Sequence, residues 1–220
     1  MAILLHIDTA LETASVCLSD NEKVIGLAIN EKQKDHAAWL HPAILDLVQA
    51  AGLTVSDIEA IGISIGPGSY TGLRIGLSAA KGLCYALNIP LITVDTLYMM
   101  AHAIEENNAD FICPLIDARR MEVFAAVYNK LWQEIVQPSA LIVDNKSFFN
   151  LLLTKRIAFC GSGSKKLQSV LCHDNAMFTE CNATAAHLAP IVYDDWMKKK
   201  FSDLAYTEPF YIKEFYTKPH

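Results

Sequence analysis

The chain has 220 residues, 52% of them hydrophobic and 19% charged, a balance that excludes a disordered polymer and leaves length for one large core or two small ones. Its 18 Lys and Arg against 24 Asp and Glu give a net charge of −6. That argues against tight binding to a nucleic-acid backbone by this chain alone, since such binding needs clustered cations that displace counterions. The one dense basic run, Lys198-Lys199-Lys200, reads as a solvated helix face. Six cysteines lie scattered without a CxxC pair, so neither a zinc site nor a redox motif is indicated. The N-terminus lacks the basic head and apolar stretch of a signal peptide, and no segment reaches the ~20 apolar residues of a membrane span; the expected location is the cytoplasm.

In chain order, Ile3 to Asp8 reads as a buried strand, Ser15 to Leu18 as a second, and Val24 to Ile29 as a third after the Asp20-Asn21-Glu22 turn. A helix is expected from about His36 to Ala51, then a strand from Ile58 to Ile65, a long helix from about Thr71 to Leu87, and a strand from Leu91 to Val94. The second half repeats the plan: strands at Phe111 to Asp117, Glu122 to Tyr128 and Ala140 to Val143, a helix near Lys146 to Leu153, a strand at Ile157 to Cys160, and helices at about Lys165 to Leu171 and Ala183 to Tyr193. The opening strands even end alike, in Ile7-Asp8-Thr9-Ala10 and Ile116-Asp117-Ala118-Arg119. Two copies of this unit match the duplicated RNase H-like plan of the actin and sugar-kinase superfamily, an α/β fold of two mixed sheets flanked by helices. The expected domains are 1–108 and 109–220, divided near the polar Glu105-Glu106-Asn107-Asn108 stretch.

The most distinctive segment, Gly66-Pro67-Gly68-Ser69-Tyr70-Thr71-Gly72-Leu73-Arg74-Ile75-Gly76, lies between a strand and a helix. Glycine-rich turns of this kind often cradle phosphate, but this one has no Gly-Lys-Ser/Thr ending, its third glycine is spaced wrongly for a dinucleotide fingerprint, and Pro67 removes an N–H. Gly72, Gly76 and Ala80 recur every four residues and stack along one helix face. Each helical glycine costs about 1 kcal/mol relative to alanine, so close approach by another element should compensate, either internally or by a partner's helix. On the preceding helix, Ala37, Leu40, Ile44, Leu47, Val48 and Ala51 form a core stripe, while Trp39, Ala43 and Ala50 form a second apolar line. A helix apolar on two sides is sandwiched, which favours the partner; the expected contact residues are Trp39, Ala43, Gly72, Leu73, Arg74, Gly76 and Ala80. On this reading Gly76→Trp abolishes pairing and leaves the fold intact.

This glycine segment resembles the signature of the TsaB family, also known as YeaZ. The resemblance extends to Ile7-Asp8-Thr9, Ala79-Ala80-Lys81-Gly82-Leu83, Ile89-Pro90-Leu91 and Pro114-Leu115-Ile116-Asp117-Ala118-Arg119-Arg120 before Glu122-Val123. It is strong over residues 1 to 125 and looser beyond, where Gly161-Ser162-Gly163 and Glu208-Pro209-Phe210-Tyr211-Ile212-Lys213 resemble the family's glycine turn and C-terminal ending. His36-Ala37-Ala38 stands where the family has His-Ser-Glu.

The resemblance implies a non-catalytic subunit that pairs with TsaD, is joined by the ATPase TsaE, and supports threonylcarbamoylation of adenosine 37 (t6A) in tRNAs reading codons that begin with adenine. It implies tRNA contact through the complex, a homodimer when TsaD is absent, and ATP or ADP at the partner interface. The His-x-x-x-His metal pair of TsaD is not present: His36 and His41 lie about 140° apart around a helix. Asp8 and Asp117, with Gly161 and Gly163, are the weak nucleotide candidates, and Asp8-Thr9-Ala10 lacks the glycine of a phosphate loop. No serine has a recognisable triad, and no catalytic residue is assigned. The alternative is a nucleotide-dependent ATPase or phosphotransferase of the same superfamily, using Asp8, Asp117 and Gly161 to Gly163.

Overall fold

Buried apolar runs interrupted by turn residues break the first thirty residues into a meander, and in the computed structural model, which describes residues 1–32, 35–104 and 108–213, it is β1 (Ile3–Asp8), β2 (Ala14–Asp20) and β3 (Lys23–Asn30). Then follow α1 (His36–Ala50), β4 (Ala60–Ser64), α2 (Tyr70–Leu87), β5 (Leu91–Val94) and α3 (Thr96–His102). The second half supplies β6 (Phe111–Asp117), β7 (Glu122–Asn129), β8 (Glu134–Ile142), α4 (Phe149–Leu152), β9 (Ile157–Cys160), α5 (Ser164–Gln168), β10 (Ala176–Phe178) and α6 (Leu188–Met197). Each half builds a five-stranded mixed sheet, ordered β3-β2-β1-β4-β5 and β10-β9-β6-β7-β8. Three residues of the expected linker, Glu105 to Asn107, lie outside the described residues.

The first sheet has two unlike faces. Leu5, Ile7, Val16, Leu18, Ile61 and Ile63 pack with Leu40, Ile44 and Val48 of α1 and Leu77 and Ala80 of α2 in one apolar core. Strand alternation puts His6, Asp8, Ser15, Cys17, Ser19, Gly62 and Ser64 on the opposite face. There α6 and the turn before it form the cover: a Cβ on Gly62 would stand 2.3 Å from Val192 Cγ2, and the Ala185 N–H donates to Ser15 Oγ at 2.8 Å. Glycine at 62 is what lets the helix come so close.

This cover corrects the expected domain limits. Residues Met1–Met99 and Ala183–Phe210 form one compact unit, and the described residues of Met100–Asn182 and from Tyr211 onward form the other. The chain from Ala183 to Phe210 returns to the first sheet because Leu188, Ala189 and Val192, all fully buried, find their apolar cover there. In the second unit, Leu115, Val123, Val127, Phe159 and Leu167 centre the core. Among the described residues no helix is long and apolar enough to cross a membrane.

Candidate functional site

Asp8 ends β1 with no exposure, and Thr9 and Ala10 beyond it are buried as well. One carboxylate oxygen accepts from Ser64 Oγ and from the Ala10 N–H, while the other, Oδ2, has no hydrogen-bond partner among the described residues. Burial pushes the pKa of Asp8 up to about 6, against the opposing pull of Ser64 and the Ala10 N–H. The glycine segment closes over this turn. The Ser69 N–H donates to the Ala10 carbonyl at 2.7 Å, and Thr9 Oγ1 donates to the Gly72 carbonyl at 2.7 Å. A Cβ on Gly68 would lie 2.3 Å from the Ala10 oxygen, one on Gly72 2.0 Å from the Thr9 oxygen, and one on Gly76 2.2 Å from Thr9 Oγ1. Ser69 caps α2 by accepting from the Gly72 N–H at 3.2 Å.

The glycines therefore serve internal packing, which overturns the reading of Gly72, Gly76 and Ala80 as a partner-facing surface. All three are buried, and Leu73 beside them is 1% exposed. Gly76→Trp would strike Thr9 rather than a partner. Ala43 also belongs to the core, and Trp39 is partly buried against it. The spacing of four had shown that something approaches closely; it could not name the neighbour, which is 63 positions earlier in sequence.

Asp117, at the end of β6, is in a different environment. Its side chain is 41% exposed and accepts from Lys166 Nζ at 2.7 Å and from the Arg119 N–H at 2.6 Å, while its own N–H donates to Ser162 Oγ at 3.1 Å. Partial burial alone would raise its pKa, but the Lys166 bond, the Arg119 N–H and the two positive charges together hold it below the usual carboxylate value. Gly161 and Gly163 are nearby for steric reasons: a Cβ on Gly161 (φ +88) would meet Met100 Cε at 2.4 Å, and one on Gly163 would meet Val123 Cγ1 at 2.9 Å. The Gly163 N–H already donates to the Leu115 carbonyl at 2.9 Å, so it is not offered to a phosphate. Among the described residues no three His, Cys, Asp or Glu side chains converge as a metal site. His41 is exposed and His36 is buried.

What the first unit does expose is a groove of about 610 Å³ between α1 and α2, lined by Ala37, His41, Arg74, Ile75, Ser78 and Gly82 among others. A Cβ on Gly82 would meet nothing within 4 Å, so this glycine, unlike the buried ones, borders open space. Arg74 stands at the groove with its guanidinium 4.2 Å over the Tyr70 ring, a cation–π contact that restrains the side chain. Of the expected contact residues, only Arg74 lines this groove. Sequence reasoning missed Ile75, Ser78 and Gly82, although positions 75, 78 and 82 share one helix face.

Comparison with known proteins agrees with this framework. A family model described as "TsaD: tRNA N6-adenosine threonylcarbamoyltransferase" matches residues 19–148, more than half of the chain. The Escherichia coli "tRNA threonylcarbamoyladenosine biosynthesis protein TsaB" is 37% identical over 58% of this chain and 55% of its own length, so the match spans little more than half of that relative. The Haemophilus influenzae TsaB is 28% identical over 96% of this chain and 93% of its own. A crystal structure of a Pseudomonas aeruginosa protein with similarity to peptidase YeaZ superposes with a TM-score of 0.85 at 25% identity, covering 97% of this chain and 100% of that one. The chain belongs to the family of the TsaD model and, within it, to the TsaB (YeaZ) group.

Proposed function

We propose that this chain is a non-catalytic subunit that pairs with TsaD, is joined by TsaE, and supports formation of threonylcarbamoyladenosine at position 37 of tRNA. The observation that carries the pairing is the α1/α2 groove: a small-residue floor at Gly82, an apolar wall at Ile75 and a restrained cation at Arg74. A partner helix laid there would bury apolar surface worth about 25 cal/mol per Å² and could offer a carboxylate to Arg74. The same groove would let two copies pair when TsaD is absent.

The non-catalytic half of the reading is supported by the closed Asp8 turn. A phosphate approaching Asp8 would have to displace the glycine segment, whose backbone fills the space above Thr9 and Ala10. The competing reading, an ATPase or phosphotransferase, requires that turn to open.

Size-exclusion chromatography with light scattering of the chain mixed with its cognate TsaD tests the proposal. A heterodimer with the wild type that is lost with Gly82→Trp, at unchanged thermal stability, supports it. A wild type that ignores TsaD overturns it, and ATP turnover by the isolated chain would then favour the competing reading.

A further inference from the structure

The net charge of −6 is not spread evenly. The first unit holds 14 acidic and 8 basic residues, the second 10 of each, so any polyanion would be met by the second. Within it the cations gather at the end of the sheet where β6 turns into β7. Arg119 and Arg120 occupy the turn, Lys165 and Lys166 open α5, and Lys213 pairs with Glu122 at 2.5 Å. Against these five cations stand Asp117, held by Lys166, and Glu122; the adjoining β8 end adds Asp144 and Lys146, which offset each other.

The turn itself is unusual. Arg119 and Arg120 have φ of +68° and +49°, a left-handed conformation that residues with a Cβ disfavour and that is ordinarily given to Gly, Asn or Asp. Among the described residues neither guanidinium has a hydrogen-bond or ion-pair partner, and both residues are exposed. Two exposed arginines thus sit where the backbone disfavours them, with neither guanidinium bonded among the described residues, although the Arg119 charge acts on Asp117 through space. The backbone of the turn is held by Asp117 and Glu122, while the two adjacent guanidiniums are left at an exposed tip, where they fit successive phosphates of an extended polyanion.

We propose that this end of the second sheet contacts the sugar–phosphate backbone of RNA, with Arg119 and Arg120 as the phosphate-binding groups. The inference rests on the reading of the chain as part of an RNA-modifying assembly and gives this subunit a direct share in holding the RNA.

The test uses the isolated full chain and a fluorescent tRNA transcript, measuring affinity by anisotropy from about 20 to about 200 mM KCl, a range over which phosphate contacts are strongly salt-dependent. The variant Arg119→Asn/Arg120→Gly supplies residues suited to the turn, so it should fold at least as stably as the wild type. Its salt slope should fall by about 1.4 to 1.8, the loss of two phosphate contacts. Replacing Lys198, Lys199 and Lys200 by Ser should leave the slope unchanged. No binding at the lowest salt, an unchanged slope in the arginine variant, or full displacement of RNA by an equimolar nucleoside triphosphate would each overturn the proposal. Because TsaD is absent from the measurement, RNA contact can fail while pairing holds, and pairing can fail while RNA contact holds.

Discussion

The Thr9 hydroxyl donates to the Gly72 carbonyl at 2.7 Å across 63 residues of sequence, with both residues buried. This bond locks the first turn of α2 onto the end of β1, and Gly76 one helical turn later packs on the same side chain. Gly76→Ala gains about 1 kcal/mol of helix propensity but drives a methyl against Thr9 Oγ1, so a net loss of about 1–2 kcal/mol is expected from overpacking. Thr9→Ala removes the obstructing atom, and the double variant should be more stable than the sum of the single changes predicts. Gly72→Ala meets the Thr9 backbone oxygen instead, which no side-chain change removes, so Thr9→Ala should not rescue it. Urea denaturation of the set decides: additive effects at 9 and 76 would refute the packing described.

The same pair shows how far the sequence could be read. β6 and β9 were legible to the residue because continuous apolar runs are bounded by turn residues. The Glu105-Glu106-Asn107-Asn108 stretch reads as a helix end, but the extent of α3 was not legible: Leu97, Met99, Met100 and Ala101 are all buried, so no polar face announces a period. β8 begins at Glu134 rather than near Ala140 because Gln137 and Pro138 imitate a loop; the proline is accommodated on an edge strand, at a break in the β7/β8 register. β10 has three residues and exists through its pairing with β9. The Gly72-Gly76-Ala80 stripe was visible as a close approach, but its partner, and the sheet that α6 covers, are long-range facts that local pattern does not contain.

Asp8 and His6, two residues apart on the polar face of the first sheet, should give stability opposite dependences on pH. Burial holds the folded pKa of Asp8 at about 6 against 3.8, so the folded state binds the extra proton and stability falls as pH rises from about 4 to about 6. Burial also depresses His6 from 6.5 to about 3, so there the unfolded state binds the proton and stability falls as pH drops through the range from about 6.5 to about 3. Asp8→Asn keeps an acceptor for Ser64 and Ala10 and removes the charge. Its stability relative to wild type should increase by on the order of 3 kcal/mol between pH 4 and pH 7, from 1.36 kcal/mol per pKa unit. His6→Gln should flatten the acid limb instead. A pH-independent difference between Asp8→Asn and wild type would show that Asp8 titrates normally.

Lys81 fastens the C-terminal segment to α2, donating to the Ala205 carbonyl at 3.1 Å and the Thr207 carbonyl at 3.0 Å. Farther along, the Phe210 N–H donates to the Ile65 carbonyl at 2.7 Å, and the Ser202 N–H to that of Leu91 at 2.8 Å. Charge-assisted bonds to carbonyls are worth about 1.5–3 kcal/mol when well formed, and partial exposure lowers this. Lys81→Met should therefore cost about 1–2 kcal/mol. Hydrogen exchange should quicken at Phe210 and Ser202 and stay unchanged in β6, β7 and β9. Equal quickening in both sheets would mean that the lysine supports the whole chain and not this segment.

The last prediction separates Arg74 from its support. If the α1/α2 groove receives a partner helix, Arg74 is the group that meets a carboxylate, and Tyr70 helps to hold it in place through the 4.2 Å stacking contact. Arg74→Ala should then weaken pairing with TsaD by about tenfold, the scale of a partly exposed charge-assisted contact of about 1.4 kcal/mol. Tyr70→Phe keeps the ring face and should pair normally, whereas Tyr70→Ala removes the stacking contact and should cost about threefold, within the range of an exposed cation–π contact. The charge contact should weaken with salt, so the gap between wild type and Arg74→Ala should narrow as KCl rises. Calorimetric titration of each variant against TsaD measures these differences. If Tyr70→Ala lowers affinity as much as Arg74→Ala and the gap ignores salt, the tyrosine rather than the arginine is the contacting group.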